Sequence, residues 1–269
     1  MLLAAVEYAR PGTVDEAVRL LGTSPNARPL AGGQTLINVM KARAAQPDLL
    51  VDLADLEELR GVALRDGALE IGAMTTYAQL MASPDVSRER PIIARVASEI
   101  ADVQVRNRGT IGGNVCLSDP TNHFPPVMVA MNAQMTIAGP DGERTVPAED
   151  FFLGVYMTAV QPGELLTKIT LPHAEGDGFA SVTVGREGTC IVNAAASANG
   201  ELRVALGCVG AVPELVRPSS ADTEVVHEAV RAADLQPPGD VHASADYRRH
   251  LAEVVAARAV EQAARRARE

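Results

Sequence analysis

The sequence contains no tryptophan and few aromatic residues of any kind, with four tyrosines and four phenylalanines among 269 residues. Aromatic side chains provide the surfaces on which unpaired bases stack, so the composition offers few such surfaces. The formal net charge of −10 and the isoelectric point near 5.0 leave no basic field that would attract a phosphate backbone. Nucleic acid is therefore not an expected partner.

Cysteine is also scarce. Cys116, Cys190 and Cys208 are odd in number and far apart, so they form neither a disulfide framework nor a paired CxxC metal motif. An iron–sulfur cluster usually takes four thiolates, and the histidines show no HxxxH or HExxH spacing. We expect no cluster and no catalytic metal in this chain.

Long apolar runs are missing as well, since no eighteen consecutive apolar residues occur. The start MLLAAVEYARPG lacks the basic residues, long apolar stretch and small-residue cleavage site of a secretory signal, so we expect a cytoplasmic protein. The 47% apolar composition and the mean hydropathy of +0.05 are typical of a globular chain. Its length allows one large domain or two modest lobes.

Two pairs of adjacent glycines stand in similar surroundings, one in RPLAGGQTLI (28–37) and one in NRGTIGGNVC (107–116). Neither stretch contains an acidic residue. Glycine lets backbone N–H groups approach a phosphate closely and adopts positive φ, so consecutive amides can form an anion-binding nest. The loops match neither GxGxxG nor GxxxxGK[ST]. Two tight turns without a ligand are the alternative, but the repeated composition predicts loops that converge on one large anionic ligand, such as a dinucleotide.

Hydrophobic periodicity predicts an α+β fold. A helix is expected over 14–22, and Thr35 is expected to cap the helix after the first glycine pair. The segment PIIARVASEIAD predicts a helix ending just before the second pair. From about 176, three β-leaning segments at hairpin spacing and two helices predict a smaller second lobe.

Three segments carry a resemblance to a known family: LAGGQTLINVMKAR, VRNRGTIGGNVCLSDPTNHFPPVMVAMNAQM and GERTVPAEDFFLG. They resemble the FAD-binding medium subunit of the molybdenum hydroxylases, the family of carbon monoxide dehydrogenase and xanthine dehydrogenase. The resemblance covers nearly the whole chain. It implies a two-lobed FAD-binding domain of the vanillyl-alcohol oxidase type over 1–175, with α+β subdomains at about 1–55 and 56–175. A small C-terminal α/β domain of the carbon monoxide dehydrogenase flavoprotein type would follow over 176–269.

The resemblance also implies an oxidoreductase subunit with FAD as its cofactor. Partner subunits would hold the other redox groups. An iron–sulfur small subunit would hold two [2Fe–2S] clusters, and a large subunit would hold molybdopterin. The three kinds of chain would assemble as a dimer of heterotrimers. This chain would pass electrons from the clusters through FAD to an external acceptor. It would not act on the organic substrate alone.

The family's flavin-binding positions fall on two loops and three single residues. The first-loop amides of Gly32, Gly33, Gln34 and Thr35 are expected to hold the pyrophosphate, and no residue is expected to be catalytic. The expected FAD-binding residues are Leu30, Ala31, Gly32, Gly33, Gln34, Thr35, Leu36, Ile37, Ile100, Thr110, Ile111, Gly112, Gly113, Asn114, His123 and Leu166.

Departures from the family pattern occur at three places. His123 stands where many relatives carry Asp, and we expect it to remain a ligand because a neutral imidazole can accept a hydrogen bond. Ser181 stands where relatives often have Lys. Around Thr189 and Cys190 an aromatic residue is replaced, so the flavin ring is expected to be less shielded.

Two other functions remain open on the sequence. A free-standing FAD-dependent reductase or oxidase would need its own acid or base, for which Ser118, Asp119 and His123 are the nearby candidates. A non-redox nucleotide-binding protein would keep the glycine loops for another ligand. For a subunit of a complex, the Arg-rich stretch 248–268 is a candidate partner surface.

Overall fold

The computed structural model of the protein describes residues 2–185 and 188–268. Its helices are α1 (Val14–Leu21), α2 (Leu36–Lys41), α3 (Tyr77–Ala82), α4 (Pro84–Glu89), α5 (Pro91–Ser98), α6 (Val103–Arg108), α7 (Ile111–Leu117), α8 (Phe124–Ala130), α9 (Ala148–Phe151), α10 (Thr223–Ala232) and α11 (Ala245–Arg266). Its strands are β1 (Glu7–Ala9), β2 (Arg28–Leu30), β3 (Leu49–Asp52), β4 (Val62–Arg65), β5 (Ala68–Gly72), β6 (Gln134–Gly139), β7 (Gly142–Pro147), β8 (Phe152–Gly154), β9 (Met157–Thr158), β10 (Leu165–Leu171), β11 (Gly176–Thr183), β12 (Cys190–Ala198), β13 (Leu202–Gly207) and β14 (Glu214–Val216).

The described strands form three sheets and a short hairpin. The first sheet is parallel in the order β1-β3-β2, with α1 as the crossover between β1 and β2. The second is antiparallel in the order β4-β5-β10-β6-β7, and the third is the antiparallel meander β11 to β14. Strands β8 and β9 pair as the hairpin. The predicted α+β class is confirmed.

Local sequence explains where the first helix begins and ends. The Thr13 side chain accepts a hydrogen bond from the Glu16 N–H, which satisfies one of the free donors at the start of α1. Ala17, Val18 and Leu21 share the buried face, and Gly22 follows the last residue. The helix predicted over 14–22 is therefore confirmed to within one residue.

The helix predicted to run up to the second glycine pair is interrupted. Helix α5 ends at Ser98, and Ala101 adopts a left-handed conformation with φ +44°. Asp102 then caps α6 by accepting from the Val105 N–H. A capping carboxylate so close to the end of the periodic pattern starts a new helix in a new direction.

Three hydrophobic clusters make up the core of the described residues. The largest lies between the five-stranded sheet and α3, α5, α7 and α8, and a smaller one lies under the parallel sheet. The third joins α10 and α11 to the C-terminal sheet. There Gly178 lets α11 approach closely, because a Cβ at this position would lie 1.9 Å from the Ala259 carbonyl oxygen.

The C-terminal part of the chain carries one further correction and one open prediction. Arg248, the first residue of the Arg-rich stretch, is not a surface residue: it is 4% exposed, and its guanidinium donates to Asp240 and to the Ile191 carbonyl. Only the outer face of α11 remains as a candidate partner surface. The boundary expected between 175 and 176 falls at the first residue of β11, and the division into domains stays a prediction.

Across residues 2–185 and 188–268, no helix combines the length and apolar character needed to cross a membrane.

A buried ion pair attaches the C-terminal sheet to the preceding helices. The side chains of Arg90, between α4 and α5, and Asp177, in β11, are each 2% exposed. Arg90 donates from Nε to Asp177 Oδ2 at 2.7 Å and from Nη2 to Oδ1 at 3.1 Å. The Ser197 hydroxyl donates to Oδ1 at 2.7 Å, and Arg90 also donates to the Pro172 carbonyl. The charges are thus fully hydrogen-bonded, which a buried pair requires.

Removal of one charge from this pair is expected to destabilise the protein strongly. Asp177→Ala leaves an uncompensated guanidinium in the interior, and we expect it to lower the free energy of unfolding by about 3–5 kcal/mol. Ser197→Ala is the matched control, because it removes the hydroxyl that donates to Asp177 and accepts from Arg90 but leaves the pair intact, at a cost of about 1–2 kcal/mol. Urea unfolding followed by circular dichroism measures both, and equal losses for the two variants would contradict the role given to the pair.

Candidate functional site

The first glycine loop connects β2 to α2 at the carboxyl end of the parallel sheet. Gly33 has φ +72°, a conformation that glycine adopts without a steric cost. Thr35 has helical φ and ψ and its side chain makes no capping hydrogen bond, so the predicted cap is wrong. Helix α2 has only six residues, so its dipole is a small contribution beside the loop amides themselves.

The backbone N–H groups of this loop have no acceptor. Within residues 2–185 and 188–268, none of the N–H groups of residues 32–35 donates a hydrogen bond. The four residues are nevertheless partly buried or exposed rather than packed in the core. Four neighbouring donors around one turn form the kind of nest that binds an anion.

The second glycine loop differs, because its amides are already used. Ile111 donates to the Thr75 carbonyl at 3.0 Å, and Gly112 donates to the Ala73 carbonyl at 2.9 Å. The Gly113 N–H donates to the hydroxyl of Thr110, which caps α7. A Cβ on Gly112 would lie 2.6 Å from the Ala73 oxygen, so this glycine permits close packing. The second loop can therefore act on a ligand through its shape and its side chains.

The two loops lie directly against each other, as loops that share one ligand must, while their binding of that ligand stays a prediction. A Cβ on Gly32 would lie 2.2 Å from the carbonyl oxygen of Arg108 and 2.8 Å from Gly109 Cα. A Cβ on Gly113 would lie 3.8 Å from Ala31 Cβ. Only a residue without a side chain fits at position 32, which is why the first loop begins with glycine.

A cavity of about 430 Å³ lies over the first loop. Six of the expected residues line it, namely Leu30, Ala31, Gly32, Gly33, Gln34 and Ile37. Five residues that the sequence prediction missed complete the lining: Asn38, Lys41, Asp52, Ala54 and Arg108.

The missed residues supply the charge of the cavity. Lys41 and Ile37 are four positions apart on α2 and line the cavity together. The exposed side chains of Lys41 and Arg108 form no salt bridge within the described part of the chain. Asp52 ends β3 and accepts from the Tyr8 hydroxyl and the Ala54 N–H. That hydrogen bond from Tyr8 raises the pKa of the phenol.

Asn114 in the second loop carries a buried acceptor without a partner. Its Nδ2 donates to the Tyr77 hydroxyl at 3.0 Å, while Oδ1 makes no hydrogen bond to the described residues. Burial raises the pKa of Tyr77 to about 12, so the phenol stays neutral. An orphaned buried acceptor is costly, so Oδ1 of Asn114 is available to a donor group of a ligand.

His123 lies beside this loop. The residue before it, Asn122, contacts the loop, since Asn122 Nδ2 donates to the Asn114 carbonyl at 3.4 Å. The His123 ring packs against Phe179, with centroids 5.2 Å apart. Its Nδ1 lies 3.1 Å from Asn193 Nδ2 and accepts from that amide. An imidazole whose Nδ1 accepts a hydrogen bond carries a proton on Nε2, so this nitrogen can offer a ligand a donor, not the second acceptor of an aspartate.

The remaining expected residues lie outside the cavity. Leu166 is buried in β10 at the bulge before Lys168, and half-buried Ile100 packs against the same core cluster. Thr35 and Leu36 complete the first loop, and Thr110 forms a bridge with Thr76. A role in ligand binding for these residues stays a prediction.

Comparison with known proteins decides the family. Residues 4–174 match the family described as the FAD binding domain in molybdopterin dehydrogenase. The carbon monoxide dehydrogenase medium chain of Hydrogenophaga pseudoflava is 36% identical over 97% of each chain. The nicotine 6-hydroxylase medium subunit of Paenarthrobacter nicotinovorans is 32% identical over 99% of this chain and all of its own.

A solved structure agrees over the whole length. A chain of the Hydrogenophaga pseudoflava carbon monoxide dehydrogenase that lacks the Mo-pyranopterin moiety superimposes with a TM-score of 0.92, at 36% identity and 99% coverage of both chains. This chain belongs to the FAD-binding medium subunits of the molybdenum hydroxylases. As a member of that family it is an oxidoreductase subunit, and the expected fold is confirmed.

The residues present fit the flavin cofactor of this family. Four donor amides and two uncompensated cations suit a pyrophosphate, and the orphaned Asn114 oxygen suits an N–H or hydroxyl group. Within residues 2–185 and 188–268, no cluster of three or more His, Cys, Asp or Glu side chains could hold a metal ion.

The contact between the loops provides a test of the site's construction. Gly32→Ala forces a methyl group into the Arg108 carbonyl, so the loops must separate, and we expect a loss of about 1–3 kcal/mol in unfolding free energy. Gly12→Ala is the control: Gly12 is exposed, and its nearest neighbour to an added Cβ is 4.0 Å away. Thermal unfolding measures both, and a Gly32→Ala variant as stable as the control would show that the contact is loose.

Proposed function

We propose that this chain binds FAD non-covalently and is the electron-transfer subunit of a molybdenum-containing hydroxylase or dehydrogenase. The observation that carries the proposal is the set of unpartnered amides in residues 32–35, three of which belong to residues that line a cavity with two cations, in a chain that belongs to this family. Bound FAD would supply the redox chemistry that links [2Fe–2S] clusters of a partner subunit to an external acceptor.

The residues of the cavity have separate roles in this proposal. The amides of residues 32–35 hold the pyrophosphate, while Lys41 and Arg108 offset its charge. Asp52 and the Oδ1 atom of Asn114 accept hydrogen bonds from the cofactor, and His123 donates one from Nε2. Gly112 and Gly113 hold the second loop close, and the expected roles of Ile100 and Leu166 belong to the same proposal.

The alternative of a free-standing reductase or oxidase lacks a poised acid or base. Ser118 Oγ donates to the Gly154 carbonyl at 3.0 Å. Asp119 Oδ1 accepts from both the N–H and the hydroxyl of Thr121, at 2.9 and 2.8 Å. His123 Nδ1 is occupied by Asn193. All three candidates therefore serve local structure, which favours a subunit that only transfers electrons.

Partners are part of the same proposal. The relatives are medium chains or subunits of carbon monoxide dehydrogenase and nicotine 6-hydroxylase, which supports assembly with an iron–sulfur small subunit and a molybdopterin large subunit. We place the FAD-binding domain at 1–175 and the small C-terminal domain at 176–269. A dimer of heterotrimers in the cytoplasm completes the proposal.

A carboxylate in the first loop should empty the site. Gly33→Asp puts a negative charge among the amides that hold the pyrophosphate, and we expect FAD binding to weaken by about two orders of magnitude. Gly200→Asp is the matched control, because Gly200 has a similar φ of +66°, lies in an exposed turn and has nothing near its Cβ position. Flavin absorbance per chain after purification measures both. If Gly33→Asp keeps its full flavin content, the pyrophosphate is held elsewhere.

Co-expression of this chain with the small and large subunits tests assembly. We expect one complex that contains all three chains in size-exclusion chromatography, with flavin that is bleached when the substrate of the complex is added. The isolated chain should keep its flavin oxidised with the same substrate, because it has no group that acts on it. A chain that elutes alone, with flavin reduced directly by a nicotinamide, would favour the free-standing reductase.

A further inference from the structure

Two buried cysteines lie close together on neighbouring strands of the C-terminal sheet. Cys190 begins β12 and is 2% exposed, and Cys208 directly follows β13 and is 6% exposed. The strands are antiparallel, with Asn193 opposite Gly207. This register brings both sulfurs to one amide group: Asn193 Nδ2 lies 3.3 Å from Cys190 Sγ and 4.0 Å from Cys208 Sγ.

The surroundings make the two thiols unequal. The interaction with Cys208, followed by those with His123 and Asn193, lowers the pKa of Cys190 against the opposing effect of burial. The same interaction and burial raise the pKa of Cys208. One sulfur is thus favoured as a nucleophilic thiolate and the other as a neighbouring thiol that can resolve an oxidised sulfur.

A small cavity reaches Cys208, the neighbour of Cys190 in the pair. It has a volume of about 10 Å³, roughly one water molecule, and Cys208, Pro120 and Pro126 are among the residues that line it. Cys208 Sγ also lies 3.2 Å from the Pro120 carbonyl oxygen. A metal is not the expected occupant, since no cluster of metal ligands is present among residues 2–185 and 188–268.

We propose that Cys190 and Cys208 form a reversible dithiol–disulfide pair that is oxidised by small hydroperoxides. The Cys190 thiolate attacks hydrogen peroxide, an S–O bond forms as the O–O bond breaks, and one water leaves after protonation. Cys208 then displaces the sulfenic oxygen as a second water and closes the S–S bond. The two thiols lose two electrons and two protons in total, and one peroxide becomes two waters. A small dithiol reductant reverses the reaction.

Oxidation changes the contacts of the segment that carries His123. In the reduced state Asn193 Nδ2 is shared between the sulfurs, the Asn122 carbonyl at 3.4 Å and His123 Nδ1 at 3.1 Å. A disulfide removes the thiolate acceptor from this amide and the S–H group from Pro120. The Asn193 amide is then left to its contacts with residues 122 and 123. An effect on the flavin through His123 rests on the proposed function, whereas disulfide formation does not.

The test uses the full chain, treated with stoichiometric hydrogen peroxide and analysed under denaturing conditions. We expect the intact mass to fall by about 2 Da as two hydrogens are lost. The three free cysteines should decrease to one titratable thiol, and peptide mapping should join Cys190 to Cys208. Dithiothreitol should restore all three thiols. These readouts need neither flavin nor partner subunits, so their failure is separate from any failure of the proposed function.

Single variants distinguish the pair from general oxidation. Cys116→Ser is the matched control and should form the same cross-link, because it leaves both cysteines of the pair in place. The Cys190→Ser and Cys208→Ser variants should not form the cross-link, so their intact mass should not fall by about 2 Da. Each should keep two free thiols, or its remaining cysteine of the pair should gain oxygen. Retention of all three thiols in the wild type, a link that includes Cys116, or sulfinic acid at Cys190 without a cross-link would each overturn the proposal.

Discussion

The backbone of Gly32 lies so close to the carbonyl group of Arg108 that no side chain fits between them. This contact holds the first glycine loop against the second and fixes the direction in which the amides of residues 32–35 point. It also places Arg108 on the wall of the cavity. Without this contact, the parallel sheet and helices α6 and α7 would not share a site.

The two glycine pairs have different physical roles despite their similar composition. The first leaves its N–H groups without acceptors, at the carboxyl end of a parallel sheet where ligands commonly bind. The second uses its N–H groups to bind Ala73, Thr75 and Thr110, and needs glycine for close packing. A ligand bound between them therefore meets donors on one side and a rigid wall with one free acceptor, Asn114 Oδ1, on the other.

The C-terminal sheet is held to the rest of the described chain by polar contacts that are themselves buried. Arg90 and Asp177 join it to the turn between α4 and α5, and Asn193 joins it to Asn122 and His123. These hydrogen bonds depend on direction as well as distance, so they add to the apolar packing of Phe179, Ala195 and Ala205 in fixing the position of the sheet. The sheet thereby influences a segment of the candidate cofactor site although it contributes no residue to the cavity lining.

Much of this protein was determined by its sequence alone. The periodicity of α1 and the alternation of the C-terminal strands were enough to predict the α+β class, because burial of one face requires that spacing. The composition of the two glycine loops was enough to predict that the loops lie together. The sequence could not show that Thr35 does not cap α2, or that the amides of the second loop are occupied, since both depend on where other segments pass. Lys41, Asp52 and Arg108 were missed for the same reason: each is an ordinary charged residue until the fold brings it to the wall of one cavity. Only the tertiary structure decided these points, because the hydrogen-bond partners of a backbone or side-chain group are set by contacts between residues far apart in the chain.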